Sequence, residues 1–197
     1  MKGGTLALIV IALLVGFVGC NGCATQNRLV TLDENVNQAW GNLQAAYQRR
    51  ADLVPNLVNT VKGAANFEQE TLTQVTEARS RATGIQLSGE DLENPERVRQ
   101  FQEAQSALSA SLGRLLAVSE NYPELGATQA FRDLQAQLEG TENRINTERG
   151  RYNEAVTAYN GQVRRFPGSL FAGFLGFSPK QVFQADAGAQ RAPQVQF

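Results

Sequence analysis

Gln48-Arg49-Arg50-Ala51-Asp52-Leu53-Val54-Pro55-Asn56-Leu57-Val58 lies between two long helical patterns and decides how they connect. Asp52 has the chemistry of a helix cap, and Pro55 suits a first helical turn, where its missing N–H costs nothing. The stretch therefore predicts a turn at Arg49–Asp52 and a new helix after it. One continuous helix kinked at Pro55 is the alternative.

Upstream, Leu29, Leu32, Val36, Ala39, Leu43 and Ala46 recur at heptad-like spacing, widened by Trp40 and Tyr47 and continued by Arg50. Downstream the stripe is Val54, Val58, Val61, Ala65, Glu68, Leu72, Val75, Arg79 and Ala82. A third reads Val98, Phe101, Gln105, Leu108, Leu112 and Leu115. In the fourth, Phe131, Leu138, Ile145, Tyr152 and Tyr159 return every seven residues, beside Leu134, Val156 and Val163. No alternating β pattern occurs after Leu29. Residues 84–95 (GIQLSGEDLENP) form a polar loop with Asn94-Pro95 opening the third helix. Asn121-Tyr122-Pro123-Glu124 breaks the third from the fourth, and Phe166-Pro167-Gly168 ends it. Alternating 3-4 spacing is the seam of near-parallel helix packing, and short connections favour antiparallel neighbours. The expected fold is all-α, an elongated antiparallel four-helix bundle on an N-terminal membrane anchor helix.

The anchor is expected over residues 1–24, the bundle over 25–165 and a tail over 166–197. Residues 5–18 (TLALIVIALLVGFV) carry no charge and follow Lys2. A bilayer-spanning helix needs about 20 apolar residues. Residues 6–18 supply thirteen, and reaching Ala24 admits Asn21, two glycines and two cysteines. An uncleaved single-pass helix is one reading. The other is a lipoprotein signal, with Phe17-Val18-Gly19-Cys20 as its processing site and Cys20 lipidated. Both tether the chain to a membrane, the first as a bacterial inner-membrane protein, the second as an envelope lipoprotein. Cys20 and Cys23 also form a C-x-x-C, but no βαβ setting or second ligand pair accompanies it.

Composition narrows the function. Eighteen basic and 19 acidic residues leave a net charge of −1, unlike a nucleic-acid binder. The absence of histidine removes Ser-His-Asp and Cys-His catalysis and His-ligated zinc. No cofactor or metal is expected. Arg50, Glu68 and Arg79 fall on apolar seams, and Thr141 near one. Buried charges normally pair, so helix-register pairs are favoured over an ion site. Six of the ten phenylalanines follow residue 165, too aromatic for a disordered tail.

The chain resembles the LemA family, membrane-anchored bacterial proteins with a helical-bundle domain. The resemblance rests on the Arg49-Arg50-x-Asp52-Leu53 motif and on an ordered series after it. That series is Thr60-Val61-Lys62-Gly63, Thr71-Leu72 through Ala78-Arg79, Tyr122-Pro123-Glu124-Leu125, Leu134-Gln135 to Leu138-Glu139, Thr141-Glu142-Asn143, Tyr152-Asn153, Tyr159-Asn160, Phe166-Pro167 and Gly176-Phe177. Where the family usually has an aromatic after the glycine and a histidine before the glutamate, this chain has Ala64 and Phe67. Any role of that histidine is excluded here.

The expected function is a non-catalytic membrane-tethered scaffold or adaptor of the bacterial envelope, with another envelope protein and the membrane as partners. The alternatives are a self-associating, membrane-remodelling helical protein and an enzyme. If the first helix rises from the bilayer, the turns at Arg49–Asp52 and at Asn121-Tyr122 meet at the distal end. Arg49, Arg50, Asp52, Asn121 and Tyr122 then form a candidate partner surface. Arg164 and Arg165 with Phe171, Phe174 and Phe177 return toward the membrane as a candidate interfacial contact, cations at headgroups and rings at the acyl boundary. Packing of those rings on the bundle is the competing reading.

Overall fold

The computed structural model describes residues 2–63 and 68–184, with side chains described at Gly4 and from Gly22 onward. Apart from its connections and an extended stretch at 177–184, the described chain is helical. Helix α1 spans Lys2–Lys62, α2 Gln69–Gly84, α3 Pro95–Ser119, α4 Pro123–Gly126, α5 Gln129–Arg164 and α6 Gly168–Leu175; a 3-10 turn occupies Asp91–Glu93.

The expected turn at Arg49–Asp52 is absent. Helix α1 continues through Pro55 to Lys62, a length of about 90 Å at the helical rise per residue. Helix α1 ends at Lys62, whose cation stands against the negative helix end, and α2 begins at Gln69. The second stripe is thus divided. Leu53, Val54, Leu57, Val58 and Val61 are buried on α1, and Leu72, Val75, Ala78 and Ala82 on α2. Ala65 lies outside the described residues. Glu68 is not on a seam: it is exposed, and its carboxylate accepts the Thr71 hydroxyl at 3.1 Å.

Helix α1 runs antiparallel to α5. Trp40 and Tyr152 stack edge-on at 5.9 Å, and Arg50 reaches Glu142 at 2.8 Å. Helix α2 folds back on α3 through the 85–94 connection. Asn94 caps α3, accepting the Glu96 and Arg97 N–H groups at 3.0 and 3.3 Å, and Pro95 occupies the first turn. Every residue of the third stripe is buried, as are Phe131, Leu138, Ile145, Tyr152 and Tyr159 of the fourth.

The core has two apolar clusters. One gathers Leu53–Val61 side chains with α2, the upper part of α3 and Phe131 and Leu138. The other holds Leu29, Val36, Trp40, Leu43, Phe101, Ile145, Tyr152 and Phe183. In this second region the α1/α5 pair is covered by the 85–94 connection and by residues 176–184. The anchor expected over 1–24 falls largely on side chains outside the described residues. Among the described residues no helix is long and apolar enough to cross a membrane.

Candidate functional site

Between the two apolar clusters lies a polar layer centred on Arg50. Arg50 is 1 % exposed. Arg50 Nη2 donates to the Gln105 carbonyl at 3.1 Å and to Gln105 Oε1 at 2.7 Å. Nη1 donates to the Ser109 hydroxyl and, at 2.8 Å, to Glu142. Gln105 Nε2 in turn donates at 3.2 Å to the carbonyl of Ala82, in the last turn of α2, where helical carbonyls lack partners. One guanidinium therefore joins α1, α3 and α5 directly, and α2 through Gln105. Thr141, also buried, donates to its own helix at Gln137 (2.7 Å). Such a layer has one favourable register, because any slip leaves a buried charge unpaired.

The extended stretch 177–184 is tied down by a second polar system. Tyr159 and Tyr152 donate their hydroxyls to the carbonyls of Ser178 and Gln181, both at 3.0 Å. Burial pushes both phenols well above their ordinary range, helped at Tyr159 by the charges of Asp33 and Glu93, so both remain donors. Asn160 and Asn153 bracket the backbones of Lys180 and Phe183. The buried Lys180 ammonium pairs with Asp33 of α1 at 2.6 Å. Phe183 enters the aromatic cluster, stacked on Trp40 and edge-on to Phe101 and Tyr152.

At the other end, α6 packs on α1 and α5 beside Gly22. A Cβ at Gly22 would come within 3.2 Å of the Phe171 ring, so glycine admits that ring. Phe177 packs against the aromatic-rich core cluster. Phe166, Leu170 and Phe174 stand out in solvent, at 83, 66 and 91 % exposure, near the exposed Arg164 and Arg165.

The sequence-based site residues thus separate. Arg49 and Asp52 are exposed on the middle of α1, with Asp52 accepting the Gln48 amide at 2.8 Å. Arg50 is inaccessible. Asn121 is exposed and Tyr122 packs on the core, at a turn roughly 17 Å of helix beyond Ser109. The structure does not gather these five into one surface, because the expected turn at Arg49–Asp52 is uninterrupted helix. Of the three nominated rings, Phe174 alone is exposed; Phe171 and Phe177 are partly buried. Cys20 lies outside the described side chains, and Cys23 is an exposed free thiol. No group of three or more Cys, Asp or Glu side chains among the described residues is placed to hold a metal ion. Sequence reasoning missed Asp33, Lys180, Phe166 and Leu170. The spacing of Leu170 and Phe174, one helical turn apart, was the available signal for the exposed face.

Both polar systems involve the residues quoted above as a family pattern: Arg50, Glu142, Tyr152-Asn153 and Tyr159-Asn160. The family model described as LemA family matches residues 39–197. The chain belongs to the LemA family. Among relatives of this LemA-family chain are the magnetosome proteins MamQ 1 and MamQ 2 of Paramagnetospirillum magneticum. Each is 26 % identical over 201 residues, covering 93 % of this chain and 74 % of the relative. Protein LemA of Metamycoplasma hominis is 27 % identical over 160 residues, covering 81 % of this chain and 69 % of its own.

Proposed function

We propose that this LemA-family chain is a membrane-tethered, non-catalytic adaptor of the bacterial envelope, a four-helix bundle held at the membrane surface and offering its helical faces to another envelope protein. The observation that carries this reading is the continuity of α1. One helix runs from Lys2 to Lys62, with the charge-free residues 5–18 at one end and the packed helices at the other. Phe166, Leu170 and Phe174 are exposed on α6 and just before it, with Arg164 and Arg165 alongside, and the Phe171 ring of the same helix meets Gly22, where α1 leaves the apolar run. Rings at the acyl boundary and cations at headgroups suit an interfacial seat there. None of the relatives' names states a reaction.

Crosslinking of the full chain in native membranes, followed by identification of what is joined to it, tests the adaptor reading. It expects one stoichiometric foreign protein, and retention in the membrane fraction through an alkaline carbonate wash. A ladder of self-crosslinked species alone favours the self-assembling alternative; release by carbonate ends the tether. Mass spectrometry of the mature N-terminus separates the two anchors. An intact residue 1 or 2 supports the single-pass inner-membrane helix, and a lipidated Cys20 supports the lipoprotein.

A further inference from the structure

The two long helices share one register. Trp40 meets Tyr152, and Arg50 meets Glu142. Lys180, paired with Asp33, also lies over the Tyr159 ring. In each meeting a step along α1 is matched by an equal step back along α5. Carried to the end of α5, that register sets Arg164 level with Arg28. Below them the Phe171 ring places α6 at the height of Gly22. Gly22 lies six residues before Arg28, about 9 Å along the helix. It lies four residues after Val18, the end of the charge-free run, or about 6 Å.

Polarity and charge change together at this level. Of the large apolar side chains exposed among the described residues, Val30, Phe166, Leu170 and Phe174 are at this end, and only Val182 lies elsewhere. Leu170 and Phe174 stand one turn apart on α6, while Ala172 is buried and Phe171 turns to Gly22. Residues 19–32 and 155–179 carry Arg28, Arg164 and Arg165 and no carboxylate, in a chain whose net charge is −1. All three arginines are exposed. The next acids along the helices are Asp33, which holds Lys180, and Glu154. An apolar face without acidic neighbours, bordered by cations, fits hydrocarbon beneath anionic headgroups.

The heights agree. A bilayer's hydrocarbon core is about 30 Å thick, and each polar interface adds about 5–8 Å. Residues 6–18 cover about 20 Å as a helix, short of that core. The exposed face of α6 continues the apolar belt on one side, and Arg28 and Arg164 stand at headgroup height on stems that can reach down.

We propose that α6 is a second membrane anchor, selective for anionic phospholipid. Leu170, Phe174 and Phe166 enter the acyl boundary of the leaflet from which α1 emerges, and Arg164, Arg165 and Arg28 hold lipid phosphates. This rests on the membrane-tether reading above and adds to it the lipid class and the residues that select it.

The test uses the full chain in vesicles, with Phe174→Trp as the probe. The position is 91 % exposed, so the fold does not depend on the ring. Trp40, buried in the core about 27 Å along α1 from Gly22, is a reference that lipid does not reach. The vesicles carry acyl-brominated phosphatidylcholine, with and without phosphatidylglycerol. Flotation reads the tether, and bromine quenching reads the seat. The added fluorescence is expected to be quenched by bromines near the glycerol end of the acyl chains, more strongly with phosphatidylglycerol, while Trp40 is unaffected. With Arg164→Gln and Arg165→Gln, the seated-to-free ratio in phosphatidylglycerol vesicles should fall by about fivefold per arginine. A chain that does not float overturns the tether, and the seat with it. A chain that floats with its probe at position 174 unquenched overturns the seat alone and leaves the face to a protein. Equal quenching in both lipids, or no response to loss of the two arginines, overturns the anionic assignment.

Discussion

Arg79 of α2 donates its Nε–H to the carbonyl of Ala51 at 2.8 Å, and Ala51 is the residue whose helical partner would have been the N–H that Pro55 lacks. The proline-interrupted helix is thus repaired from a neighbouring helix. An unsatisfied buried carbonyl costs about 1–3 kcal/mol. Arg79→Met should therefore destabilise the protein by about that amount. In a Pro55→Ala background the restored N–H satisfies Ala51, and the same substitution should cost little. Denaturant unfolding of the four proteins closes the cycle; equal costs in both backgrounds would sever Arg79 from Pro55.

Arg50 and Arg49 are adjacent in sequence and opposite in role. Arg50→Ala leaves Gln105, Ser109 and Glu142 without their shared donor and should cost about 3–5 kcal/mol. Arg49→Ala, on an exposed face, should stay within about 0.5 kcal/mol. Far-UV circular dichroism during unfolding measures both. Similar small losses would show that the polar layer contributes no stability.

The aromatic end separates by exposure. Replacing Phe166, Leu170 and Phe174 with Ser should leave stability unchanged and weaken liposome binding of a chain lacking residues 1–21. Replacing Phe171 and Phe177 should lower stability, because both rings pack against neighbours. If the first triple variant binds liposomes as well as the parent does, the interfacial seat is wrong.

Acid should loosen the 85–94 connection. Hydrogen bonds from the Ser88 N–H and hydroxyl, then Arg97, hold the Asp91 carboxyl below its ordinary 3.8. A lowered folded value contributes stability that is present above the unfolded value and is lost as pH falls through the folded one. The contribution thus disappears below about pH 4. Trp40, the one tryptophan, donates to Leu87 O at 3.3 Å in this connection and reports on it by fluorescence. A change on acidification that Asp91→Asn abolishes is expected; an identical acid profile in the variant would assign the change to another carboxyl.

The four apolar stripes were legible because helical burial repeats every three to four residues and needs no knowledge of the partner. Capping at Asn94-Pro95 was legible for the same reason, being chemistry confined to one turn. The place of the first reversal was not. Asp52 and Pro55 carry the local signs of a helix start, and what lets the helix continue is Arg79, remote in sequence. Arg50 could be placed on its stripe, but its partners on α3 and α5 exist only once three helices share a register. The tail shows the same division. Its phenylalanines and the seven-residue return of Tyr-Asn stand in the sequence. Residues 177–184 (FSPKQVFQ) carry no regular apolar alternation, so only tertiary packing shows those pairs to be their hydrogen-bonding rail and Lys180 to be held by Asp33. Local periodicity determined the helices. Contacts between distant residues decided where α1 stops and where the tail lies, because a buried donor or acceptor must find its partner wherever the fold supplies one.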